Sequence, residues 1–425
     1  MDNVTHSLAG LLLAESAVRL RAWRTGAVPA PRVRVLAALS SMIAANLPDA
    51  DLFYTGVGAD RLTYMLHHRG YTHTVVAAVL GAVLIWIVAW LALRWRASSP
   101  PSRSDVRWLL GLLLVSTLSH LVLDWTNSYG VHPFWPFDDR WRYGDAVFIV
   151  EPWLWVVAVP ALVVASVNRV ARVLLSIVLL IGLVLAWRVD LVSRGAAIAL
   201  TVGALVSIVL ARMLRPGARA AVAVSAWIAV TLVMATGAAS ARAATVNAVR
   251  AADPRARLLD VVVTPLPSNA VCANVITVER SGMLYRVATA RVSAAPAITD
   301  ASRCGTRDRA RASFSPSSRR STPAVHWDAE WSAPSAELAT LARESCHALA
   351  ALRFMRVPAW RAIDDSLVAL GDVRFGGAES GFASVRVSRR SSACPPAVPP
   401  WVPPRADVLG MSTVSASPEP SRGGP

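Results

Sequence analysis

The sequence predicts an all-α multi-pass membrane helical bundle followed by a soluble C-terminal α+β domain. Three observations carry that expectation. Of the 425 residues, 54% are hydrophobic, and the mean hydropathy is +0.45, too apolar for an ordinary soluble chain. Long apolar runs recur from the N-terminus to about Ala239. Beyond that point the pattern changes to β-branched alternation, and all the cysteines lie there.

The elements follow from length and polarity. A bilayer core of about 30 Å takes roughly 20 apolar residues of helix. That length picks out residues 74–93, 108–123, 146–167, 173–187, 195–210 and 220–239. Residues 4–20 and 33–47 are shorter and more polar, the first holding Glu15 and Arg19, and are expected to dip into the membrane or to lie partly buried in the bundle. The opening "MDNVTHSLAG" lacks the basic region and cleavage site of a secretory signal, so the N-terminus with His6 is expected to be retained.

Charge gives an orientation. The formal net charge of +16 comes from arginine alone, because the sequence contains no lysine. A pI near 11.2 raises nucleic acid as a partner, but the arginines form no basic stripe interleaved with aromatic residues. No nucleic-acid partner is therefore expected; membrane topology and anionic lipid account for the charge. If all eight stretches cross, the connections after the first, third, fifth and seventh carry most of the arginine. The opposite connections hold only Arg61, Arg69, Arg140, Arg142, Arg188 and Arg194. The positive-inside rule places the richer set in the cytoplasm and everything after about residue 245 outside.

Cysteine agrees with that placement. Cys272, Cys304, Cys346 and Cys394 all lie in the region assigned outside, where an oxidising compartment favours two disulfides; three pairings are open. In the same region "LLDVVVTPLP", "NVITVERSGMLYRVATARVS" and "FASVRVS" read as strands, and "SAELATLARESCHALAALRF" as a helix with a capping serine at its start. His326 and His347 are isolated and read as structural or surface residues. From Cys394 onward the chain is proline-rich.

The polar residues of the membrane part gather at one depth. His6 opens the first stretch, "NLPDADL" puts Asp49 and Asp51 just past the second, and "HHRGYTHT" puts His67, His68, Arg69 and His73 before the third. "LSHLVLDW" ends the fourth with His120 and Asp124, spaced i, i+4 on one helical face, and Glu151 stands near the fifth. Gly70 permits a tight turn, and Thr72 is the expected N-cap of the helix that follows. Imidazoles and carboxylates converging in one polar pocket suit a divalent metal, with zinc the first choice and manganese the alternative. Arg69 offers a planar cation suited to phosphate or carboxylate. In "DWTNSYGVHPFWPFDDRWRYGD" the aromatics read as an interfacial belt, with His132 and Asp145 as candidates to orient a ligand or substrate alongside Glu151.

Five ordered motifs, "THSL" (5–8), "PDAD" (48–51), "HRGYTH" (68–73), "SHLVLD" (119–124) and "GVHPFWPF" (130–137), together resemble the bacterial inner-membrane, LexA-regulated metal-dependent hydrolase family. That family is distantly similar to the all-α zinc phospholipase C and P1-nuclease group, which cleaves phosphoesters. The resemblance covers roughly the first 160 residues. It implies His6, Asp49, Asp51, His68, His73, His120 and Asp124 as metal-site residues, with His67 incidental; Arg69, for its planar cation, and Asp51 are the catalytic candidates.

The expected organisation is then a membrane-embedded metal-dependent hydrolase domain over 1–160, additional transmembrane helices over 161–245, an extracytoplasmic α+β domain over 246–395, and a disordered proline-rich tail over 396–425. The expected reaction is phosphoester cleavage in a membrane lipid or lipid-linked phosphate at the outer face of the bacterial inner membrane. A non-catalytic metal- or lipid-binding scaffold and a metal-ion transporter stay open as alternatives.

Overall fold

The computed structural model describes residues 1–56, 60–95, 102–305 and 314–411. Ten helices come first. They are α1 (Asn3–Thr25), α2 (Pro31–Ala44), α3 (Leu52–Thr55), α4 (Arg61–His67), α5 (Val75–Trp95), α6 (Arg103–Trp125), α7 (Pro152–Ala165), α8 (Arg169–Arg188), α9 (Arg194–Met213) and α10 (Pro216–Ala252). Among the described residues, α5, α6, α8, α9 and α10 are long and apolar enough to cross a membrane. Their broad exposed apolar faces, such as Leu80, Leu84, Val88 and Leu91 on α5, are what a helix presents to lipid.

Local sequence fixes the boundaries. Asp2 caps α1 by accepting the Thr5 N–H, and Ser102 caps α6 through the Asp105 N–H. Gly26, with φ of 69°, ends α1 in the left-handed conformation that glycine adopts without cost. The stretch expected as one span over 146–167 is helical only from Pro152, with Glu151 as its cap. Upstream, the amides of Ala146 and Val147 bond back to the Thr126 carbonyl, which keeps that stretch out of the helix. At 14 residues, α7 is about 21 Å long and falls short of a bilayer core. The N-cap expected at Thr72 is also displaced. Thr74 Oγ1 accepts the Ala77 N–H at 3.0 Å, and the Thr72 hydroxyl turns instead to Asp51.

Helix α10 joins the two halves. Its 37 residues span about 55 Å, so its last turns project beyond a bilayer core. There Ala238, Ala241 and Val249 pack on Val261, Val263 and Val275. The C-terminal domain that follows contains β1 (Arg257–Leu266), β2 (Asn269–Ser281), β3 (Leu284–Ser293), β4 (Ser315–Pro316), β5 (Val325–Pro334), α11 (Ser335–Glu344), α12 (Cys346–Leu352), β6 (Pro358–Ala362), β7 (Leu367–Asp372), β8 (Ser384–Ser388) and α13 (Ala406–Leu409). An antiparallel sheet of order β1-β2-β3-β5-β4 lies beside a three-stranded antiparallel sheet β6-β7-β8. The single helix expected over "SAELATLARESCHALAALRF" breaks at Ser345, whose hydroxyl caps α12; no side chain caps α11. The disulfides are Cys272–Cys304, from β2 to the loop after β3, and Cys346–Cys394, from α12 to the segment after β8.

The domain is fused to the membrane half. One core joins Met65, Tyr129 and Trp141 to Tyr285, Leu338, Phe354 and Trp401. Beside it, the Arg356 guanidinium donates to Asp145 at 2.8 and 2.9 Å and to Asp260 at 2.8 and 3.0 Å, and Arg242 reaches Asp145 at 2.6 Å. Part of the tail expected to be disordered is ordered: residues 396–411 run back over the membrane half and bury Trp401 completely. A tryptophan side chain can bury 150–250 Å², enough to hold a proline-rich segment that forms no regular ladder of its own. Residues 412–425 lie outside the described residues.

Candidate metal centre

Five short pieces of backbone deliver the polar cluster. Pro48 stops the helical run after α2 and opens the 3-10 turn Leu47–Asp51, which presents Asp49 and Asp51. The loop after α4 carries His68 and Arg69, and the turn Tyr71–His73 carries His73. The last turns of α6 supply His120 and Asp124, and the first turn of α1 supplies His6. His6, Asp51, His73, His120 and Asp124 are fully buried, and Asp49, His68 and Arg69 nearly so.

Two ligand groups share Asp49. Asp49, His73, His120 and Asp124 form one; Asp49, Asp51 and His68 form the other. Within the first group His73 Nε2 lies 3.1 Å from His120 Nε2, 3.2 Å from Asp124 Oδ2 and 3.3 Å from Asp49 Oδ1. His120 Nε2 is 3.3 Å from Asp124 Oδ2 and 3.6 Å from Asp49 Oδ1. Four donors held about 2.0–2.1 Å from one zinc in a tetrahedron are separated by roughly 3.3–3.4 Å. Five of the six edges scatter around that value, and all four donors lie within 4.8 Å of one another, close enough to share one ion. Both nitrogens of His6 are buried without a hydrogen-bond partner; such an orphan is expected where a ligand completes the site.

The surrounding bonds aim these donors. The Ala45 carbonyl is 2.7 Å from His120 Nδ1, so the proton belongs on Nδ1 and the Nε2 lone pair faces the cluster. His6 stacks on the His120 ring at 3.8 Å and comes within 3.3 Å of Asp124 Oδ1. Asp51 works as an organiser: it faces His68 Nδ1 at 3.0 Å and accepts the Arg69 N–H at 2.9 Å and the Thr72 hydroxyl at 3.0 Å. Burial pushes the Asp51 carboxyl up, but the bonds from His68 and His73 hold it well below the usual carboxylate range. Burial likewise pushes the His73 imidazole down. Hydrogen bonds to Asp124, Asp49 and Asp51 outweigh it and push His73 up to about 10. Ligation of an ion by His73 therefore has to release a proton.

Arg69 adopts a left-handed backbone, φ 60°, that arginine rarely takes. Its Nη2 donates to Asp124 Oδ1 at 2.9 Å and its Nη1 to Asn127 Oδ1 at 3.1 Å, with the guanidinium over the Tyr129 ring at 4.7 Å. The Met1 amino group contacts the same Asp124 oxygen. Six of the seven expected ligands fall in the two groups; His6 lies outside both, against His120 and Asp124, and Arg69 stands beside them. His67, set aside as incidental, lies outside the ligand groups.

The three candidates for orienting roles divide. His132 is buried beside the Arg69 carbonyl, with Nδ1 at 3.4 Å, and burial pushes its imidazole down to about 3. Asp145 faces Arg356 and Arg242, and Glu151 accepts the Ser268 and Trp153 amides; neither joins a ligand group. Asn127 and Tyr129, which flank Arg69, escaped the sequence reading although "DWTNSYG" follows Asp124 directly.

Comparison with known proteins agrees with the membrane reading. Residues 1–195 match the family model described as YdjM inner membrane protein. No curated protein and no solved structure matches the chain. With the five apolar helices, this match supports a multi-pass inner-membrane protein, and its buried His and Asp groups could hold a metal ion.

Proposed function

We propose that the chain is a membrane-bound metal-dependent hydrolase that cleaves a phosphoester of a lipid or lipid-linked substrate at the outer face of the inner membrane. The observation that carries this reading is the spacing of Asp49, His73, His120 and Asp124, with a second ligand group sharing Asp49 and an arginine beside both. A divalent ion there, zinc or manganese, would supply Lewis acidity for a phosphoryl oxygen and a water acidic enough to attack at neutral pH. The chain's own residues do the rest. His120 is locked by Ala45 with its free nitrogen inward, and Asp51 fixes His68 and the backbone of Arg69. Arg69 holds its fork against Asp124, where it can stabilise negative charge on a phosphoryl group.

Orientation supports an outer-face site. With α1, α2 and the short α7 counted as crossings, the positive-inside rule favours the arginine-rich connections in the cytoplasm and the cluster and the C-terminal domain outside. The two disulfides support the same side, because an oxidising compartment preserves them. The reading is tested by assaying the detergent-purified protein, loaded with zinc or manganese, against lipid and lipid-linked phosphoesters beside Asp124→Asn. Turnover that vanishes in the variant is expected; ion binding with no turnover on any phosphoester would overturn the enzyme.

The scaffold reading has one observation in its favour. The ligands are almost sealed from solvent, as in structural metal sites.

A further inference from the structure

The proline-rich segment after Cys394 returns to the membrane half and sets one side chain against the loop that bears His68 and Arg69. Trp401 is fully buried. Its indole N–H donates to the Leu66 carbonyl at 2.8 Å. Its ring stacks on His132 at 3.9 Å and meets the Tyr71 ring at 4.9 Å. A Cβ on Gly70 would stand 3.2 Å from its Cζ2, tighter than an ordinary contact, so the absence of a side chain there leaves room for the indole. Leu66, Gly70 and Tyr71 bracket His68 and Arg69 on both sides, and His132 faces the Arg69 carbonyl. The strained φ of Arg69 lies in the middle of this bracket.

The segment is tied down on either side of the tryptophan. The Cys346–Cys394 disulfide fixes its start, and Arg353 Nη1 donates to the Trp401 carbonyl at 2.9 Å. The Val402 N–H donates to the Asp139 carbonyl at 3.2 Å, and Arg405 lies 3.6 Å from Asp260. The indole is therefore held by the C-terminal domain and pressed on a loop of the membrane half.

We propose that Trp401 is a positioning residue for the metal centre: it fixes the loop bearing His68, Arg69 and His73, so that the C-terminal domain completes a site built in the membrane half. This inference rests on the metal-binding reading above. It assigns the domain a task, which is to keep an otherwise strained loop in its ligating conformation.

The test uses the full chain in detergent with Mn²⁺ as the probe. Affinity is read by electron paramagnetic resonance and loop order by hydrogen exchange over residues 66–73. Trp401→Ala is compared with Trp401→Phe, which keeps a stacking ring but loses the Leu66 bond. Trp360→Ala serves as the control for destabilisation, because Trp360 is buried in the same core beside Tyr285 and Trp331. Trp401→Ala should weaken Mn²⁺ binding about 10–100-fold, the range for residues that orient metal ligands, and speed exchange across the loop; Trp401→Phe should fall between it and the parent. Trp360→Ala should lower the melting temperature and leave Mn²⁺ affinity unchanged. Parental affinity and loop exchange in Trp401→Ala would overturn the inference, as would an equal loss in Trp360→Ala. If the parent binds no Mn²⁺, the metal reading fails by itself, and loop exchange alone decides the role of Trp401.

Discussion

Replacing Arg356 by methionine should loosen the C-terminal domain from the membrane half. The guanidinium is buried and makes four charge-assisted bonds, two to Asp145 from the membrane half and two to Asp260 on β1. Removing one partner of a buried ion pair costs about 3–5 kcal/mol, because the remaining charges stay buried without their counter-ion. Here Asp145 keeps Arg242 and Asp260 keeps Arg405 at a longer distance, so the lower end, about 3 kcal/mol, applies. The assay is denaturant unfolding of the purified protein followed by tryptophan fluorescence, with Asp145→Asn as the second arm of a double-mutant cycle. Asparagine is suited to that position because Asp145 has φ 53°, a region asparagine tolerates. In the Arg356→Met background, Asp145→Asn should cost little or restore stability, giving a coupling of about 1–3 kcal/mol. A cost for Arg356→Met below about 1 kcal/mol, or additivity within about 0.5 kcal/mol, would refute the network as the link between the halves.

Three further outcomes are expected. Burial raises the Glu151 carboxyl to about 7, so the native state holds a proton there that the unfolded chain loses near its ordinary value; stability should decline from about pH 4.5 to 7 by about 3 kcal/mol, level off above, and lose that slope in Glu151→Gln, as a pH series of unfolding curves reads directly. Cys272→Ala with Cys304→Ala opens a bridge spanning 32 residues and should lower unfolding free energy by about 4 kcal/mol in the chain-entropy account, measured by denaturant titration under non-reducing conditions. A periplasmic reporter fused after residue 411 should be active and a cytoplasmic one silent, and the reverse result would invert the orientation drawn from the arginines.

Much of the centre was legible because its residues sit in short ordered motifs, and the spacing of His120 and Asp124 alone places both on one face. What the sequence hid is long-range. Thr72 and Thr74 are equally good caps on paper, and only the position of Asp51 decides which hydroxyl is diverted. Trp401 stands among prolines, and nothing local marks its contact with a loop more than 300 residues earlier. Asp145 read as a candidate to orient a ligand, because its partner Arg356 comes from a separate domain. The early end of the span over 146–167 was masked by continuous apolar character, although the Glu-Pro pair at 151–152 marks a helix start.

The measurement that bears most directly on the centre is elemental analysis of the detergent-purified protein beside His120→Ala and Asp124→Ala, both checked for folding and membrane insertion. At least one equivalent of zinc or manganese in the parent, lost from both variants, is the predicted result. A parent that holds no divalent ion after reconstitution with either metal would contradict the account.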